Sequence, residues 1–129
     1  MNNQARTQVF VTQEVPTVDY TPAAKWGDIV FVTGSNDKLS PIQGSLNNKV
    51  VIDKIKRVLE GFNPGDLLVC SGSPAIMAIA SAVIGDKLAK VLSWDGRSGS
   101  YFEVYTGMGQ FNKLMKNDDY DPSSPNGWD

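Results

Sequence analysis

The residues best placed for chemistry stand together in Cys70-Ser71-Gly72-Ser73-Pro74: a thiol, two hydroxyls and a glycine between the apolar run Leu67–Val69 and a helix-forming stretch. A helix start presents free backbone N–H groups and partial positive charge, and glycine lets a ligand approach the backbone closely. Ser71, Gly72 and Ser73 are therefore a candidate site for a small anion such as a phosphate, a nucleotide or a carboxylate. The same residues also make an ordinary strand-to-helix turn, with Ser73 capping the helix and Pro74 in its first position. No lysine follows as in a phosphate-binding loop, GxGxxG is missing, and so is the GxSxG of a nucleophile elbow. Cys70 beside a helix start could gain nucleophilicity, but with no neighbouring base a packed, structural thiol is expected.

The chain contains no histidine and one cysteine. That excludes Ser-His-Asp and Cys-His catalysis, histidine proton shuttling and nearly all zinc sites. No metal and no cofactor is expected, and the balance leans away from an enzyme. A lone cysteine forms no internal disulfide, which points to a reducing, intracellular setting. No apolar run reaches the roughly 18 residues of a membrane span, and the start, MNNQARTQ, has no signal-peptide core, so a soluble protein is expected. Twelve basic and 14 acidic residues leave a net charge of −2, too little for a basic footprint on duplex DNA or an anionic membrane.

The elements that must position these residues follow from the apolar pattern. Thr7–Val15 reads as a strand ended by Pro16, followed by a loop holding Asp19, Tyr20, Pro22 and Trp26. Asp28–Gly34 is a β-branched buried strand. After a polar loop, Ser45 caps a helix whose apolar positions are Leu46, Val50, Val51, Ile55, Val58, Leu59 and Phe62. Leu67–Cys70 is the next strand and Pro74–Gly85 the second helix. Lys90–Asp95 and Ser100–Thr106 form a terminal β-hairpin, and Met108–Lys116 a short terminal helix. The order predicts an α/β fold: a small Rossmann-like mixed sheet of about five strands with two main crossover helices. The central strands are expected to be parallel, with the first strand and the hairpin as antiparallel edges. Residues 1–116 are read as one domain and 117–129 as an acidic C-terminal tail without fixed structure.

Three surfaces suggest partners. The second helix carries only Ser81 as a polar side chain over 75–84, so cover by the terminal helix or by a second copy through helix 74–85 is expected. Trp94, Arg97 and Tyr101 cluster on the hairpin, where they can anchor a partner or simply stabilise cross-strand pairing. Asp118, Asp119, Tyr120 and Trp128 give the tail an acidic-aromatic character suited to a docking peptide, or to a solvated end that aids solubility.

Three stretches, VFVTQEVPTVDYTPAAKWGDIVFVT, FNPGDLLVCSGSPAIMAIA and KVLSWDGRSGSYFEV, together resemble small α/β proteins encoded by tailed bacteriophages. The matching positions are Gln13-Glu14-Val15-Pro16, Gly27-Asp28, Gly72-Ser73-Pro74 and Leu92-Ser93-Trp94-Asp95. The chain departs from that pattern at Ser73, where the group carries Asp or Asn, and at Ser93, where it carries Lys. All three residues at the first position are good N-caps, which favours a structural role. The resemblance implies a phage origin and the host cytoplasm during infection, and it implies no activity.

The leading expectation is a phage accessory protein that binds a host or phage macromolecule without catalysis. One alternative is a binder or modifier of a small anionic ligand at Ser71–Ser73. Another is single-stranded nucleic-acid binding through Lys56, Arg57, Arg97 and the aromatics, which the overall acidity disfavours.

Overall fold

The computed structural model describes residues 6–108. The terminal-helix residues beyond Met108 and the tail, with Asp118, Asp119, Tyr120 and Trp128, lie outside the described residues.

Five strands form one sheet: β1 (Gln8–Gln13), β2 (Asp28–Thr33), β3 (Leu67–Val69), β4 (Lys90–Asp95) and β5 (Ser100–Tyr105), in the order β2-β1-β3-β4-β5. β1 pairs in parallel with both β2 and β3, β3 pairs in parallel with β4, and β5 closes the sheet as an antiparallel edge. The mixed α/β fold with its terminal hairpin is as expected. The role of the first strand is not: β1 is an interior parallel strand, and β2 takes the edge. Val9 and Val11 bury on one face of β1 and Phe10 on the other, so this strand serves two cores at once.

The connections explain the two cores. The chain steps one way across the sheet from β1 to β2, then reverses through β3 to β4. Right-handed crossovers require connections of opposite direction to lie on opposite faces. Helices α1 (Leu46–Leu59) and α2 (Pro74–Ile84) accordingly cover the face carrying Phe10, Val32 and Leu68. The β1–β2 connection, with a single 3-10 helix at Thr21–Trp26, covers the face carrying Val9, Val11, Leu67, Val69 and Leu92. Trp26 Nε1 donates to Glu103 on β5 at 2.9 Å, fastening this cover to the far edge of the sheet.

Both helices start where the sequence marks them. Ser45 and Ser73 are the N-caps, accepting from the Asn48 and Ile76 backbone N–H groups. The inward face of α1 is Val51, Ile55 and Leu59, and Phe62 beyond it packs against Phe10 with ring centroids 5.2 Å apart. Leu46 and Val50, expected on that face, point to solvent instead, 74% and 59% exposed. At about 100° per residue they fall more than about 80° from the stripe centred near Ile55, so the three- and four-residue spacing contains two separate rows. On α2, Ile76, Ala80 and Ile84 are buried while Ala75, Ala78 and Ala82 face outward. The helix is apolar all round, yet what it shows to solvent is mostly alanine, so its need for a second cover is smaller than its composition implies.

Candidate functional site

In an open α/β sheet, ligands bind beyond the carboxyl ends of the strands where the winding direction reverses. Here that point lies between β1 and β3, and Ser71, Gly72 and Ser73 stand at it. A side chain of the protein already fills it. Gln13, at the end of β1, accepts the Ser73 backbone N–H on Oε1 at 2.8 Å. Its Nε2 donates to the carbonyls of Asp37, at 2.8 Å, and Gly34, at 3.2 Å. Thr12 Oγ1 accepts the Ser71 N–H at 2.8 Å and donates to the Ser71 carbonyl at 2.7 Å. Two backbone donors of the candidate anion site are therefore engaged within the fold.

Gly72 completes the plug. Its φ is +84°, and a Cβ there would stand 2.3 Å from Gln13 Oε1 and 2.7 Å from Gln13 Cβ. Only glycine lets the turn close over this side chain. The loop after β2 is locked beside it, since Asp37 Oδ2 accepts from the Gly34 N–H and from Lys54 Nζ, each at 2.7 Å. These contacts, Lys54 first, hold the Asp37 carboxyl below its usual pKa.

The open space lies on the other face, at the ends of β3 and β4. A cavity of about 580 Å³ runs between the hairpin and the loop Val18–Pro22. Ser71, Trp94 and Tyr101, singled out separately from the sequence, come together on its wall with Tyr20, Asp19 and Cys70. The Tyr20 hydroxyl lies 2.6 Å from Ser71 Oγ and accepts the Val15 N–H at 2.9 Å. Tyr101 is 7% exposed and Trp94, directly opposite it across the hairpin, is 50% exposed. Arg97 and Asp95 sit at the hairpin turn, where Asp95 accepts the Arg97 N–H at 3.0 Å. Gly72 and Ser73 line a separate, more open depression of about 530 Å³ with Gln13 and Lys38.

The electrostatics of the cavity are simple. Hydrogen bonds from the Thr21 hydroxyl and N–H lower the Asp19 pKa, so its carboxylate stays ionised. Burial, reinforced by Tyr20 and Asp19 nearby, raises the Tyr101 phenol. Cys70 is a correction to the sequence reading. It lies one residue past β3 and is exposed rather than packed in the strand. Its sulfur is still partly desolvated, which raises the thiol above its ordinary pKa. The helix start beside it does not outweigh that burial. No group of three or more potential metal ligands occurs among the described residues.

Sequence reasoning passed over Gln13, Tyr20 and Asp19 as site residues. The available signals were two polar residues, Thr12 and Gln13, closing an otherwise apolar strand, and an acid-aromatic pair in the loop that follows.

Fold and site together define a small α/β protein with a plugged switch point and an aromatic cavity beside it. Residues 4–108 match the family model of the Phage Pam3 gp32-like protein. The chain belongs to that phage protein family. No curated protein and no solved structure matches it. No helix among the described residues is long and apolar enough to cross a membrane.

Proposed function

We propose that this phage protein is an accessory protein that binds a host or phage macromolecule in the cytoplasm of the infected cell, without turnover, at the notch beneath Trp94. The observation that carries this reading is a half-exposed tryptophan over an aromatic-walled cavity of about 580 Å³. Tryptophan and tyrosine in such positions are the usual anchors of a binding surface. Among the described residues of the notch, Asp19 is held low and Cys70 and Tyr101 are raised, shifts away from neutral pH that favour binding over acid–base turnover.

The other readings have less support. For an anion at Ser71–Ser73, the Ser71 and Ser73 N–H groups are already satisfied by Thr12 and Gln13. For a single strand of nucleic acid, Lys56 and Arg57 lie on α1, which covers the opposite face of the sheet from Tyr101. One continuous groove does not join them.

The test is retention from infected-cell lysate on the immobilised full-length chain and its Trp94→Ala variant. A macromolecule held stoichiometrically by the first and lost by the second, with both fully folded at the temperature of the assay, is the expected result. Equal retention by both would place the contact elsewhere and end this reading.

A further inference from the structure

We propose that the notch beneath Trp94 receives a guanidinium group, an arginine side chain presented by the macromolecular partner. This rests on the preceding reading for where contact is made, and it adds what kind of group is held.

Charge comes first. Asp19 is the one charged residue lining the cavity, and no lysine or arginine joins it among the described residues. An anionic ligand would meet that carboxylate with no lining cation to offset it, whereas a cation would be attracted to it. Aromatic faces are negative at their centres and attract cations, more strongly when water is displaced. Trp94, Tyr20 and Tyr101 supply three aromatic rings to the wall of the same cavity.

Hydrogen bonding sharpens the choice. Tyr101 is more than nine-tenths buried, yet its hydroxyl has no hydrogen-bond partner among the described residues. It is not a sealed, unsatisfied atom, and the residue lines the cavity. Asp19 Oδ1 accepts the Thr21 N–H at 2.9 Å, which fixes the carboxylate at the cavity wall. The notch thus offers acceptors beside aromatic walls. A guanidinium is flat, has five donors and no acceptor, stacks on rings and gives up water readily. An alkylammonium is a compact, strongly hydrated charge and suits flat walls less well.

The test uses small probes on the isotope-labelled full-length chain, read at the Trp94 indole N–H and the Asp19 and Tyr20 amides. N-acetyl-arginine amide should shift these signals. N-acetyl-citrulline amide, the same shape without the charge, should bind roughly tenfold more weakly, the scale of a partly desolvated cation–π contact. N-acetyl-lysine amide should fall between them. Asp19→Asn should weaken arginine amide by roughly fivefold while the rest of the spectrum stays native. The proposal is overturned if citrulline matches arginine, if lysine binds tighter, if Asp19→Asn changes nothing, or if no signal moves by about 50 mM. These probes do not depend on the partner. Arginine amide binding with no macromolecule retained would sink the macromolecular reading alone. A partner lost on Trp94→Ala, with arginine amide indifferent, would sink the guanidinium alone.

Discussion

Trp94 meets Tyr101 edge to face, with ring centroids 4.9 Å apart and planes inclined at 68°, at directly paired positions of the β4–β5 hairpin. The two rings have different tasks. Tyr101 is buried against Leu92 and Val69, whereas Trp94 is half in solvent. Tyr101→Ala should cost about 3–5 kcal/mol, as deletion of a buried aromatic does. Trp94→Ala should cost about 0.5–1.5 kcal/mol, the value of the ring pair itself. Urea denaturation of both variants checks the difference, and equal losses would contradict the division of labour.

Gly72 is the strictest backbone position at the switch point. Gly72→Ala forces a methyl to within 2.3 Å of Gln13 Oε1 at a φ of +84°. A destabilisation of about 1–3 kcal/mol is expected. Gln13→Ala removes the Oε1 and Cδ part of the clash along with its hydrogen bonds and leaves the Cβ contact, so the double variant should lose less than the sum of the singles. Strict additivity in a denaturation cycle would show that the two do not meet.

Acid should unfold the protein through its hydrogen-bonded carboxylates. Asp37, Asp19 and Asp95 all titrate below the ordinary value of 3.8, Asp37 through Lys54 and Gly34, and Asp95 through Ser98 and Arg97. A depressed folded-state pKa gives stability that is fully present above the unfolded value and disappears as the pH falls through the folded one. Melting temperature should therefore be nearly flat from about pH 7 to 5 and fall below about pH 4. Asp37→Asn should be less stable at neutral pH and show a shallower acid slope.

Cys70 gives an independent report on the cavity. Partial desolvation raises its thiol pKa, so the thiolate is scarce at neutral pH and alkylation should be slower than that of a free cysteine. The rate should climb with pH well into the alkaline range. Occupation of the notch, which Cys70 lines, should slow it further. Fast labelling at pH 7 with no pH dependence would contradict the assigned environment.

Much of this structure was legible in local pattern. Ser45 and Ser73 as caps, Pro74 in the first turn and the bounds of β4 are all short-range choices made by neighbouring residues. The place of β1 was not legible. Its alternation is weak because both faces are buried, and Thr12 and Gln13 are polar residues that nothing nearby in the sequence explains. Their polarity is answered by Ser71, Ser73, Gly34 and Asp37, residues twenty-one to sixty positions away. No local rule reaches that far. The cavity was half legible: Ser71, Trp94 and Tyr101 stood out by type, while Asp19 and Tyr20 join them only because the β1–β2 connection must cross the face opposite the helices.

Gln13 has a consequence for how this fold relates to the small molecules around it. A side chain tethered to its own site is present at an effective concentration that free ligands rarely match. The crevice that in open α/β sheets listens to the metabolic state of the cell is here set to a constant. Its occupancy does not vary with supply, dilution or competition, and neither does the stability it contributes. The turn that closes over Gln13 therefore keeps one shape whatever small molecules surround it.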